Sequence, residues 1–118
     1  MFDRKEDRTV PVSTVKHDLE SEKKNLAESL RDLSNAIDRR VNIIDEQIAN
    51  ADKDAKNSLT GLRKKLVSEK KKVDRALKEI EKASVETWNT VNKKSQEILT
   101  DAKIETQKIE ERVEDIIE

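Results

Sequence analysis

From Leu19 to Ile116 the apolar and small side chains of this sequence keep one rhythm, three and four residues apart. They fall at Leu26, Leu30, Leu33, Ile37, Val41, Ile44, Ile48, Ala51, Ala55, Leu59, Leu62 and Leu66. After a polar step they resume at Val73, Leu77, Ile80, Ser84, Trp88, Val91, Ile98, Ala102, Ile109, Val113 and Ile116. Steps of three and four line up along one face of an α-helix, which takes ~3.6 residues per turn. A chain that stays disordered has no reason to hold that rhythm over so many turns.

Composition narrows what such a face can build. Charged residues make up 43% of the 118 residues and hydrophobic ones 33%, with one Gly, one Pro, one Trp, one Phe and no Tyr. That is enough apolar surface for a narrow seam and too little for a spherical core. Long amphipathic helix and disorder are the two states compatible with such numbers, and the periodicity decides for helix. The fold class expected is therefore all-α, a long amphipathic helix forming a coiled coil or helical bundle.

The longer period refines this expectation. Every eleventh residue from Leu33 reads Leu33, Ile44, Ala55, Leu66, Leu77, Trp88 and Leu99. Eleven residues in three turns is about 3.67 per turn, which predicts a hendecad seam, straight or weakly right-handed. Residues 1–13 read as a flexible arm, because Pro11 lacks the amide proton of a helix interior and biases Val10 away from helical angles. Ser13 or Thr14 can cap the helix that follows, so that 14–118 forms one coiled-coil helical region. A hairpin turn fits best within 50–61, where Asn57, Ser58 and Gly61 are weaker helix formers. The seam keeps its phase through this stretch, which favours a continuous helix of roughly 150 Å over the hairpin.

Charge is segmented along the chain. Residues 63–82 carry nine basic and four acidic side chains, whereas 18–54 and 97–118 are net acidic. A basic middle between acidic ends favours antiparallel or staggered pairing, through pairs that water and salt screen.

The chemistry of sites finds little to work with. His17 is the only histidine, and the residue three before it is Thr14, so no Glu-x-x-His metal pair can form around it. One glycine cannot make a phosphate-cradling loop, and no serine has a histidine base beside it. Cysteine is absent, which excludes thiolate sites and disulfides. No enzymatic activity, cofactor, metal or small-molecule ligand is expected. A net charge of −1 gives no global pull toward nucleic acid. The basic block of Arg63, Lys64, Lys65, Lys70, Lys71, Lys72, Arg75 and Lys78 lacks the aromatic side chains that stack on bases. It reads as a solvated face or as a dock for acidic helices. No run approaches ~20 apolar residues, so neither a membrane span nor a secretory signal is expected, and a cytoplasmic location is the default.

The residues expected to make helix–helix contact are Leu33, Ile37, Ile44, Ile48, Leu59, Leu62, Leu66, Leu77, Ile80, Trp88, Val91 and Ile98. A stripe this long is not left in water by soluble proteins. The function that follows is a non-enzymatic structural or protein–protein interaction protein, self-associating through its seam or folding back and then pairing. Its partners would be further copies or other helices. The alternative is an amphipathic helix for lipid surfaces or for desiccation and stress protection. Such helices want a broad apolar face flanked by Lys, and this face is narrow with flanks of mixed sign.

Around the tryptophan, the stretch from Lys82 to Lys93 (KASVETWNTVNK) follows a Lys/Glu-rich segment running from Ile44. Over roughly 44–103 the chain resembles a group of uncharacterised bacterial coiled-coil proteins. These carry Ala-Trp-x-x-Leu-Lys blocks at eleven-residue spacing, and Leu99 stands here at the second tryptophan position. The resemblance implies a small bacterial helical protein and assigns no functional residue.

Overall fold

The structure is a computed structural model that describes residues 12–117, with side chains from residue 18 onward. Three helices follow one another: α1 (Val12–Asn50), α2 (Lys53–Lys82) and α3 (Trp88–Ile117). There is no strand among the described residues. Residues 1–11 of the expected arm lie outside the described residues. Val12 and Ser13 belong to α1, so the helix begins ahead of the cap expected at Ser13 or Thr14.

The chain turns twice, which corrects the expectation of one continuous helix. The first turn needs only Ala51 and Asp52, at the start of the window considered for a hairpin. Asp52 leaves helical geometry at φ −73°, ψ 176°, and its carboxylate accepts the Ala55 amide at 2.9 Å. This is an N-cap, satisfying one of the amides that a helix start leaves free. On the other side, the Asn50 side chain donates to the Glu46 carbonyl at 3.2 Å. Asn57, Ser58 and Gly61, the residues first suspected of breaking the helix, all lie inside α2. Propensity costs of ~1 kcal/mol at a single Gly do not stop a helix whose apolar face is being buried.

The second turn, over residues 83–87, was not expected at all. Ser84 and Thr87 close it reciprocally. The Ser84 amide donates to Thr87 Oγ1 at 2.9 Å, and the Thr87 amide donates to Ser84 Oγ at 3.4 Å. The pattern is that of a capping box, with Thr in the place usually held by Glu or Gln. The Val91 amide then donates to the Thr87 carbonyl at 3.1 Å, the first bond of the new helix.

Two chain reversals set the directions. Partners on α2 fall in number as those on α1 rise: Lys23 with Ala83, Ser34 with Asp74, Asp45 with Arg63. These helices are antiparallel. Glu22 meets Trp88 and Arg40 meets Glu110, so α1 and α3 run parallel. The result is an elongated three-helix bundle of 73 × 25 × 17 Å, half the length a continuous helix would reach. Basic α2 lies antiparallel against both of its more acidic neighbours, the pairing that the charge segmentation favoured.

Burial within the bundle falls in rows seven residues apart, and the eleven-residue seam is not confirmed by it. On α2 the row Leu59, Leu66, Val73, Ile80 is at most 2% exposed, and beside it runs Leu62, Glu69 and Ala76, continued by Ala83 just past the helix end. On α3 the deepest row is Trp88, Ser95, Ala102, Ile109, and on α1 it is Leu30, Ile37, Ile44. Seven-residue spacing keeps a seam facing its neighbours when helices pack at the shallow angles of bundles. The eleven-residue series crosses both turns; Leu33, Ile44, Leu66 and Trp88 on it are buried and Ala55, Leu77 and Leu99 partly buried.

Candidate interaction surface

Of the twelve residues expected at helix contacts, Leu33, Ile37, Ile44, Leu59, Leu62, Leu66, Ile80 and Trp88 are buried. Ile48, Leu77, Val91 and Ile98 are partly buried and pack against that core. All twelve thus belong to the core of a single chain or to its margin. Much of the stripe is buried by the chain folding back on itself twice. Trp88 closes one end of the core, with its indole N–H donating to Glu22 at 3.3 Å. The side chain of His17 lies outside the described residues.

The core is not uniformly apolar. Ser34, Glu69, Ser95 and Thr106 are buried in it, and the seam of α3 thins to Ser95, Ala102 and Thr106 at mid-length. Glu69 turns its carboxylate to the edge, where Lys72 holds it at 3.2 Å. Ser34 donates to Asp74 at 2.9 Å, and the same carboxylate accepts Lys70 at 2.9 Å, with Asp38 at 3.9 Å from that amine. Desolvation pushes the Asp74 carboxyl up, but the hydrogen bonds from Lys70 and Ser34, with the charges of Lys70 and Lys78, bring it below the usual carboxylate range. The hydrogen bond to Asp74 raises the Lys70 amine, against a smaller desolvation effect and with the charges of Asp74 and Asp38 adding to it. This network pins α1 to α2 and is a structural clasp.

The structure divides the basic block by role. Arg63 pairs with Asp45 at 2.6 Å, Lys70 with Asp74, and Lys72 with Glu69. Lys64, Lys71 and Lys78 recur every seventh residue on the line of α2 opposite its seam, and Lys65 and Arg75 flank them, all exposed. The corresponding line of α3 carries Glu97, Ile104 and Glu111, also seven apart and exposed. No sequence rule singled this line out, because it becomes a surface only once the seven-residue seam is known. Elsewhere, a shallow apolar cleft of about 130 Å³ opens between α1 and α3, lined by Ile43, Ile109, Val113 and Ile117. Arg40 and Glu110 bridge the same two helices at 2.6 Å beside it.

Among the described residues no cluster of His, Cys, Asp or Glu could hold a metal ion, and no helix is long and apolar enough to cross a membrane. No family model, curated protein or solved structure matches this chain.

Proposed function

We propose that this chain is a non-enzymatic structural and protein–protein interaction module, working in the cytoplasm as a compact helical bundle. One observation carries this reading. Most of the apolar stripe is buried between the chain's own helices, and apart from Ile43, Val85, Ile104 and Ile117 the outward faces are polar, with charge sorted by helix. Residues Lys53–Lys82 hold eleven basic and five acidic side chains, whereas acids outnumber bases on α3. A rigid rod with charge arranged in rows can position or join other proteins without chemistry of its own. The resemblance around Trp88 to bacterial coiled-coil proteins is compatible with such a role.

The competing reading is an amphipathic helix for lipid surfaces or stress protection, favoured by the two-faced character of every helix. Circular dichroism of the full chain separates the two. High helicity in plain buffer, unchanged by anionic vesicles, supports the interaction module. A chain largely unfolded in buffer that gains helix only on vesicles or on drying would overturn it.

A further inference from the structure

Ala76 of α2 and Ser95 of α3 are small side chains on the contact between these helices, 3% and 2% exposed. They fill less space than the leucines and isoleucines elsewhere in the core, and a cleft of about 420 Å³ opens over them. The Ser95 hydroxyl is bonded to no other described residue, and the little of Ser95 that water reaches faces this cleft. A buried hydroxyl ordinarily has a partner, because leaving its bond unmade forfeits what water supplied. Here the open direction is the cleft.

The rim above that hydroxyl is basic. Lys72, Arg75 and Lys94 stand around the opening against one carboxylate, Glu79, an excess of two positive charges. Glu69 holds Lys72 at 3.2 Å, whereas Arg75 and Lys94 make no salt bridge among the described residues. Cations gathered from two helices repel one another and favour an anion between them. Val91 and Ile98, both partly buried, form an apolar wall on the α3 side. The next cleft along the same pair of helices differs. Lys65 and Arg112 share it with Asp115, and its serine, Ser58, is exposed.

We propose that the cleft over Ser95 binds a small organic phosphate, a phosphate monoester on a compact apolar body. Such a group carries a charge near −2 at neutral pH and three strong acceptor oxygens, which match the excess charge and the three uncommitted donors. The guanidinium of Arg75 offers paired N–H groups to two oxygens, Lys94 supplies the second charge, and Ser95 donates from the floor. The apolar body lies on Val91 and Ile98. The volume is in the range of small-molecule sites, ~300–1,000 Å³. A lipid headgroup could carry the same phosphate, but the Ser95 donor lies at the floor of the cleft, below the charged rim. A soluble ester reaches it there, and a headgroup held in the plane of a bilayer does not. No linear motif marks the site, because Arg75 and Ser95 come together only across the antiparallel α2–α3 pair. The inference goes beyond the interaction-module reading and does not depend on it.

Titration of phenyl phosphate into the isotope-labelled full chain, followed by amide NMR, tests it. Shifts should saturate at about millimolar ligand and centre on residues 72–79 and 91–98. Inorganic phosphate should bind more weakly, since it leaves the apolar wall uncovered. Arg75→Gln and Lys94→Gln should each weaken binding about tenfold, and Ser95→Ala about threefold with helicity kept. Lys65→Gln removes the same charge one cleft away, beyond a Debye length, and should change affinity less than about twofold. Circular dichroism checks that each variant is folded, and the wild-type titration decides even if one is not. Absence of saturation, shifts spread equally to the Lys65–Arg112 cleft, or an equal loss in Lys65→Gln would overturn the site. Binding to vesicles bearing phosphatidic acid without binding to the soluble ester would overturn it as well.

Discussion

Leu66 and Leu77 lie on one helix, eleven residues apart, and an eleven-residue stripe would make them equivalent. The folded bundle does not. Leu66 is 1% exposed on the inner row of α2, and Leu77 lies at the margin of the core. Truncating Leu66 to Ala removes three buried carbons, about 2.4 kcal/mol at ~0.8 kcal/mol per methylene, and leaves a cavity between three helices. The total should be about 3 kcal/mol, near the lower end for such changes, because the apolar cleft beside Leu66 gives neighbours room to relax. Leu77→Ala removes the same atoms where water can fill the space, and should cost about 1 kcal/mol. Urea unfolding followed by circular dichroism reads the difference. With an m value of ~1–2 kcal/mol per molar, the two midpoints should lie about 1–2 M apart. Equal losses at the two positions would refute the seven-residue seam and the bundle built on it.

Four further outcomes follow from individual contacts. Asp52→Ala should lower stability by about 1 kcal/mol, with Asp52→Asn close to wild type, because the side-chain oxygen that caps α2 is lost in one and kept in the other; thermal melts measure both. Gly61→Ala should raise stability by about 0.5–1 kcal/mol, since the added methyl meets no atom within 4 Å and Ala is the better helix former; a lower melting temperature would contradict this. The Asp74 contribution is present above ~pH 4 and fades as acid takes the solution through its lowered pKa, whereas that of Lys70 is present below ~pH 10 and fades as base passes its raised one. Both groups keep contact with water, so Asp74→Asn should cost under ~1 kcal/mol at neutral pH and nothing in strong acid, as melts across pH would show. Small-angle scattering should give a longest dimension near 73 Å, and a rod near twice that length would restore the continuous helix.

The helical nature of the chain was written in its spacing of apolar side chains, a local property that one helical face expresses by itself. Eight of the twelve expected contact residues are buried for the same reason. The first turn left a faint trace, since Asp52 with Ala55 three residues later is an N-cap arrangement any sequence can show. It was outweighed by Gly61, whose propensity penalty is real but smaller than the burial around it. The second turn left a trace too, in Ser84 and Thr87, but hydroxyl pairs three apart are common on exposed helices and their meaning depends on the backbone leaving the helix there.

What only tertiary structure decided is which face, at which period, against what. Steps of three and four are shared by seven-residue and eleven-residue seams, and the two separate only when neighbouring helices cover one line and leave the other wet. Leu77 looks like Leu66 until α1 and α3 are in place. The basic block likewise read as one feature, and it took packed helices to spend Arg63, Lys70 and Lys72 on internal partners and leave Lys64, Lys71 and Lys78 facing out. A linear pattern records what each residue prefers to touch. Whether that contact comes from the same chain depends on two short turns whose stability is a matter of about a kilocalorie each.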